Sequence, residues 1–243
     1  MDIKSIFYPE SRFGGFSDID GTMIFFLRVN ALVKPTDVIL DIGCGRGAYA
    51  DDPVPLRRQL RVFKGRCRQV MGIDMDPAAA ANPFMDEFRR FNGDYFPLED
   101  ASVDVGICNA VLEHVENPDL FFFECARVLK PGGYLCLKTA NIWSYVGLAS
   151  RLIPNRFHVR VLKRVQGDRA EEEVFPTLHR CNSIGKIQAM LSKLNFDHCV
   201  YGYEAEPAYL NFSRFFYFLG VLHQRFAPQM FRPAIHVFAR KKE

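Results

Sequence analysis

The stretch Val38-Ile39-Leu40-Asp41-Ile42-Gly43-Cys44-Gly45-Arg46-Gly47-Ala48 constrains the fold of this chain more than any other. Apolar residues surround one aspartate, and glycines then follow at alternate positions. A short apolar, partly β-branched run ending in glycines predicts a buried parallel strand that turns sharply into a loop. Glycine admits positive φ and lets a ligand approach where a Cβ would obstruct it. In open α/β sheets, the loop after the first strand is where nucleotides bind. The spacing Gly43-x-Gly45-x-x-Ala48 also satisfies the dinucleotide fingerprint, whose third glycine can be alanine. Asp41 weighs against that reading. A carboxylate two residues before Gly43 repels a pyrophosphate and suits a cation, such as the amino group of a methionine moiety.

The chain has 243 residues, enough for one α/β domain with insertions and a substantial core. A net charge of +3 is too mild to argue for a nucleic-acid partner. The seven cysteines form no CxxC pair and read as buried free thiols of a reducing compartment. Met1 to Ser5 lacks the order of a signal peptide, and no apolar run reaches the ~20 residues of a membrane span. The expectation is a cytoplasmic protein.

Residues 1–36 read as a leader with turn formers and then a short helix within Met23 to Val33, packing on the sheet or closing over the ligand. After the first strand, Pro53 and Pro55 delay the next helix. In that helix Leu56, Leu60 and Phe63 share a face, while Arg57, Arg58, Arg61 and Lys64 are expected to form a solvated back. Gln69 to Asp74 is the second strand, and its terminal acid suits the two hydroxyls of a ribose. Met75 can pack on an adenine face. A weak third strand near Phe88–Phe91 precedes Asp94 and Tyr95, which offer an acceptor for an adenine amino group and a flat face. Ser102 to Asn109 is the fourth strand. A helix from Pro118 to Lys130 follows, stopped by Pro131-Gly132-Gly133, and Tyr134 to Thr139 is the fifth strand.

Taken in order, Asp41 to Gly47, Gly72-Ile73-Asp74, Gly93-Asp94, Val111-Leu112-Glu113-His114-Val115 and Arg127 to Gly133 resemble the class I S-adenosylmethionine (SAM) methyltransferases of the small-molecule type. The resemblance covers about residues 37–141. It implies one α/β domain with a doubly wound, Rossmann-like seven-stranded sheet, mostly parallel with an antiparallel last strand. It also implies SAM as cofactor and S-adenosylhomocysteine as product. The contacts carried over are Asp41, Gly43, Gly45, Gly47, Asp74, Met75, Asp94, Tyr95 and Asn109.

Residues 142–181 form a long segment with His158, His179 and Arg180, read as a substrate-side insertion. Ser183 to Leu194 is an amphipathic helix, and Phe196–Glu204 with Ala234–Arg240 make the closing hairpin. Residues 205–233 interrupt that hairpin. Their aromatic run, 209–226, is apolar nearly all round and is expected to be buried, to dimerise, or to meet a membrane surface, with Tyr209 a substrate candidate. The second half is also similar, more weakly, to bacterial methyltransferases associated with polysaccharide or cell-envelope biosynthesis.

The expected chemistry is in-line methyl transfer without a metal, to a small-molecule or saccharide-like acceptor. A hydroxyl acceptor needs a base, and His114, just past the fourth strand, is the candidate. Two alternatives stand beside this reading: a SAM-binding scaffold without catalysis, and an NAD-dependent dehydrogenase.

Overall fold

In the computed structural model, residues 2–152 and 177–243 are described. Seven strands form one sheet in the order β3-β2-β1-β4-β5-β7-β6. They are β1 Val38–Ile42, β2 Gln69–Asp74, β3 Glu87–Arg90, β4 Val103–Asn109, β5 Leu129–Ala140, β6 Phe196–Tyr203 and β7 Ala234–Lys241. β1 to β5 pair in parallel, and β7 is antiparallel to both β5 and β6. The strand order reverses between β1 and β4. Ligands of open α/β sheets bind in the crevice at such a switch point.

Helices cover both faces. α1 is Ile3–Phe7 and α2 is Gly21–Leu32, started by Asp20, whose carboxylate accepts the Thr22 and Met23 N–H groups at 3.0 Å. Phe25, Phe26 and Val29 of α2 are buried against Ile39, Val105, Ile107 and Cys136. α3 is Pro55–Arg61 and α4 is Pro118–Val128, capped by Asn117. α5 is Tyr145–Leu152, α6 is Ile184–Lys193 and α7 is Arg214–Phe226. Phe122, Cys125 and Val128 of α4 join Ile187 and Leu191 of α6 in the core on the other face.

Three expectations need correction. The helix after the fourth strand stops at Val128, not Lys130, because Leu129 already pairs with Val103 and β5 runs through Pro131-Gly132-Gly133. The basic face of α3 is only in part a solvated back: Arg58 and Lys64 are exposed, but the other two are engaged. Arg57 bonds Asp52 and Asp20, and Arg61 turns into the crevice beside Asp41. The aromatic run is not apolar all round a buried helix. α7 buries only the stripe Tyr217, Gly220 and Val221, and leaves Phe215, Phe216, Phe218 and Leu219 exposed. Gly220 permits that close seat, since a Cβ there would stand 2.5 Å from Pro207 Cβ.

Candidate active site

The chain leaves β1 at Gly43 with φ +68°, and a Cβ there would lie 2.4 Å from Val111 Cγ2. Any side chain at this position drives β1 away from the turn after β4. Gly45, φ +55°, has nothing within 4 Å of its Cβ position and so opens on free space. Asn82 holds the loop from behind, donating to the carbonyls of Cys44 (3.0 Å) and Gly45 (3.1 Å). The sequence reading passed over Asn82. Its signal is the turn-forming Asn82-Pro83 pair.

Asp74 ends β2. One carboxylate oxygen accepts the Gly45 N–H and the other the Asp76 N–H, each at 2.9 Å. Each oxygen keeps a further lone pair for a hydroxyl. Met75, Asp94 and Tyr95 are exposed, past the ends of β2 and β3, with the Met75 sulfur 3.3 Å from the Cβ position of Gly93. Gly47 starts only a 3-10 turn, Ala48–Asp51. A pyrophosphate site needs free loop N–H groups and the dipole of a following helix. Here Asp74 already occupies the Gly45 N–H, which counts against a dinucleotide.

Beside the glycine loop lies a small cavity of about 70 Å³ lined by Asp41, Tyr49, Arg61, Ile107 and Asn109. Burial pushes the Asp41 carboxyl up to about 7, with the Arg61 guanidinium opposing and Asp74 adding to the rise. Arg61 lies 4.4 Å from the centre of the Tyr49 ring, and its Nε has no hydrogen-bond partner among the described residues. The same holds for Asn109 Oδ1. The cavity therefore presents a carboxyl and a guanidinium, with unpartnered polar atoms on Arg61 and Asn109.

Lys138, also missed by the sequence reading, sits opposite Asn109 on β5. A charged residue ending the run Leu135-Cys136-Leu137 is the signal. Its Nζ bonds Thr22 Oγ1 at 3.3 Å, under the start of α2. Burial pulls its ammonium down to about 8, helped by Arg61 and opposed by Asp20 and Glu113.

His114 closes the 3-10 turn Leu112–His114 past β4. In that turn the Glu113 carboxylate accepts the Thr139 hydroxyl at 2.7 Å, and its carbonyl accepts the N–H groups of Leu178 (2.7 Å) and His179 (3.1 Å). Asn182 completes the lock by donating to Thr139 at 2.6 Å. The structure thus brings His114 and His179 to one place, with Arg180 exposed beside them. Tyr209 is elsewhere, in the turn Ala208–Leu210 after β6. His158 lies outside the described residues.

A family model described as a methyltransferase domain matches residues 40–137. A probable SAM-dependent methyltransferase of Mycolicibacterium smegmatis is 35% identical over 134 residues, covering 53% of this chain and 47% of that protein. A ubiquinone biosynthesis O-methyltransferase of Pseudomonas fluorescens is 30% identical over 143 residues, 54% of this chain and 56% of its own length. Residues 40–137 are thus similar to a methyltransferase domain. The chain spans about half the length of the curated relatives it matches.

Among solved structures, the geranyl diphosphate C-methyltransferase of Streptomyces coelicolor, in complex with S-adenosylhomocysteine, has a TM-score of 0.54 at 14% identity, covering 90% of this chain and 74% of its own. The cyclase SpnF has a TM-score of 0.55 at 17% identity, covering 91% and 80%. At such identities only the fold is shared, and the two names show that one fold hosts different chemistry.

The residues fit SAM. Its zwitterionic amino-acid end matches the Asp41 and Arg61 pair, and the unpartnered Arg61 Nε and Asn109 Oδ1 are the atoms such an end would satisfy. The cavity is small against the ~300–1,000 Å³ of usual ligand pockets. It suits that end alone, while Asp74, Met75, Asp94 and Tyr95 suit a nucleoside. Among the described residues no group of three metal-ligating side chains is gathered, and no helix is long and apolar enough to cross a membrane.

A pH dependence follows from Asp41. An ammonium favours the carboxylate, so below about 7 the group must release a proton when the cofactor binds. Affinity for SAM should fall by up to about tenfold per pH unit below that value and be level above it. Calorimetry at pH 6 in buffers of different ionisation enthalpy should register the released proton. In Asp41→Asn that release should vanish.

Proposed function

We propose that this chain transfers a methyl group from SAM to a small-molecule or saccharide-like acceptor. The observation that carries the reading is the conjunction at the switch point: an open Gly45, Asp74 fixed beside it, and a cavity with unmet polar atoms of Asp41's neighbours Arg61 and Asn109.

When bound, SAM supplies an electrophilic methyl group on a sulfonium. The work of the chain is alignment and exclusion of water. Asp41 and Arg61 hold the amino-acid end, Asp74 the ribose, and α2 covers the crevice with Phe26. For a hydroxyl acceptor, two groups compete to take the proton. His114 lies in the turn after β4, and Lys138 lies level with Asn109 at the end of β5. We favour Lys138, because burial leaves a share of it neutral and basic near pH 8. Release of S-adenosylhomocysteine from purified protein, screened across sugar and envelope-precursor acceptors, tests the reading. Tight SAM binding with no release from any acceptor class would favour a scaffold.

The exposed face of α7 extends the reading to a surface. Phe215 and Phe226 are 65% and 77% exposed, and Phe212, in the turn before the helix, is 68% exposed. Arg214 and Arg225 flank them, and no Asp or Glu occurs from 207 to 242. An aromatic and basic helical face suits an anionic lipid surface. Vesicles containing anionic lipid should retain the protein in sedimentation, and Phe215→Ser with Phe226→Ser should release it. Concentration-dependent dimerisation without retention would put a second copy there instead.

A further inference from the structure

Beyond the cofactor crevice, the carboxyl edge of the sheet holds a second set of buried polar side chains with unmet hydrogen-bonding capacity. β5 and β6 are each antiparallel to β7, so β6 runs parallel to β5. Its end, Tyr203 followed by Glu204, therefore emerges on the same edge as Asn109 and Lys138. Glu204 is 3% exposed, and its Oε2 meets His223 Nδ1 of α7 at 2.7 Å. The Tyr145 hydroxyl lies in hydrogen-bonding reach of the same carboxylate, and beyond Tyr145 and His223 its Oε1 has no hydrogen bond among the described residues. Tyr8, after α1, and Tyr217, in α7, are 7% and 1% exposed. Neither hydroxyl has a hydrogen-bond partner among the described residues, and their rings lie 6.4 Å apart. Tyr145, at the start of α5, stands edge-on to His223 at 5.1 Å, and Phe7 tilts over Tyr217 at 5.2 Å. Glu206 is paired with Lys4 at 2.9 Å.

A buried polar atom left unpaired destabilises the fold, and native proteins tolerate few of them without a reason. Here the unpaired atoms come from three separate parts of the chain: the leader, the end of β6 and α7. Burial raises the Tyr8 phenol to about 12, with Glu206 and Glu204 contributing, and raises Tyr217 further, with Tyr8 and Glu206 contributing. The groups thus feel one another electrostatically.

We infer that Tyr8, Glu204 and Tyr217 bind the acceptor, and that this acceptor is a neutral, hydroxyl-rich molecule, a saccharide of more than one ring. Glu204 faces His223 and Glu206 is paired with Lys4, so each carboxylate of the site already has a basic neighbour. What remains are two phenols that can donate or accept, beside a carboxylate faced by His223 and Tyr145 that keeps accepting lone pairs. Sugar hydroxyls match that set, and the Phe7 and Tyr145 rings match the C–H face of a pyranose. From β4 to β6 is three strand spacings, about 14 Å at ~4.8 Å each. A ligand seated on Glu204 thus needs a second ring to reach the ground above Asn109 and Lys138. The start of α2 bridges the two places: Thr22 bonds Lys138, and the Cβ position of Gly21 lies 3.3 Å from Ala205 Cβ. The role of this site as an acceptor site rests on the methyl-transfer reading; its capacity for a sugar does not.

The test uses the full chain loaded with S-adenosylhomocysteine and a panel of gluco-, galacto-, manno- and N-acetylated mono- and disaccharides, followed by saturation-transfer NMR. At least one disaccharide should show transfer to its ring protons. Glu204→Gln and Tyr217→Phe should each weaken that binding at least tenfold and leave S-adenosylhomocysteine affinity unchanged. Without sugar, Tyr8→Phe and Tyr217→Phe should hold Tm or raise it by about 2–4 °C, since each removes an unpaired hydroxyl. A fall in Tm of that size would show that the hydroxyl has a partner within the protein and overturn the inference. So would a panel without binding to protein that holds S-adenosylhomocysteine. Sugar binding by a protein that takes up no S-adenosylhomocysteine would keep this site and overturn the methyltransferase reading instead.

Discussion

Asp74→Ala should lower affinity for SAM by about 10²–10⁴-fold. Two charge-assisted hydrogen bonds to a ribose are worth roughly 1.5–3 kcal/mol each, and ~1.4 kcal/mol is one decade. The substitution also frees the N–H groups of Gly45 and Asp76, which now donate to this carboxylate at 2.9 Å. The loop therefore loses an anchor as well as a ligand contact. Asp74→Asn keeps the shape and one acceptor, so its loss should be smaller. Titration calorimetry checks both. An unchanged affinity in Asp74→Ala would mean that the surface of Met75, Asp94 and Tyr95 does not hold the nucleoside.

Lys138→Met should cut turnover of a hydroxyl acceptor by about 10²–10⁴-fold, the usual contribution of a positioned base. SAM affinity should be nearly unchanged, because Asp41, Arg61 and Asp74 remain. Folding should survive, since an apolar side chain of similar length replaces a buried ammonium whose charge burial disfavours. The pH–rate profile separates the candidates. The neutral amine is the active form, so turnover should rise with pH and level off above about 8. A limb one to two units lower belongs to a histidine base, and then His114→Ala or His179→Ala should remove it. Full turnover in Lys138→Met with an unshifted profile would make Lys138 structural.

The strand framework was legible because β1, β2, β4 and β5 are largely apolar runs, β1 closed by glycines and β5 entered through Pro131-Gly132-Gly133, the pattern of strands buried on both faces. β3 was nearly hidden. Glu87-Phe88-Arg89-Arg90 is an edge strand with half-exposed sides, and only its pairing with Met71 to Asp74 defines it. The end of α4 was misjudged for a related reason: Leu129 and Lys130 carry no local sign that Val103 will pair with the former and Asp104 with the latter.

At the site, glycines and strand-ending acids announce themselves by spacing, since the backbone geometry they serve is local. Arg61, Lys138 and Asn82 do not. Arg61 looked like one of four solvated basic residues, and only the packing of α3 turns it toward Asp41. Glu204, Tyr8 and Tyr217 lie about 200 residues apart at the extremes and meet only when the leader folds under α7. The all-round apolar look of 209–226 misled because composition cannot say which third of a helix a small residue such as Gly220 will bring into contact.

The most direct test of the central claim is calorimetric titration of the whole chain with SAM and, separately, with NAD at pH 8. The account predicts one-to-one binding of SAM, saturable and lost on substitution of Asp74, with no heat from NAD. Binding of NAD with none of SAM would contradict it.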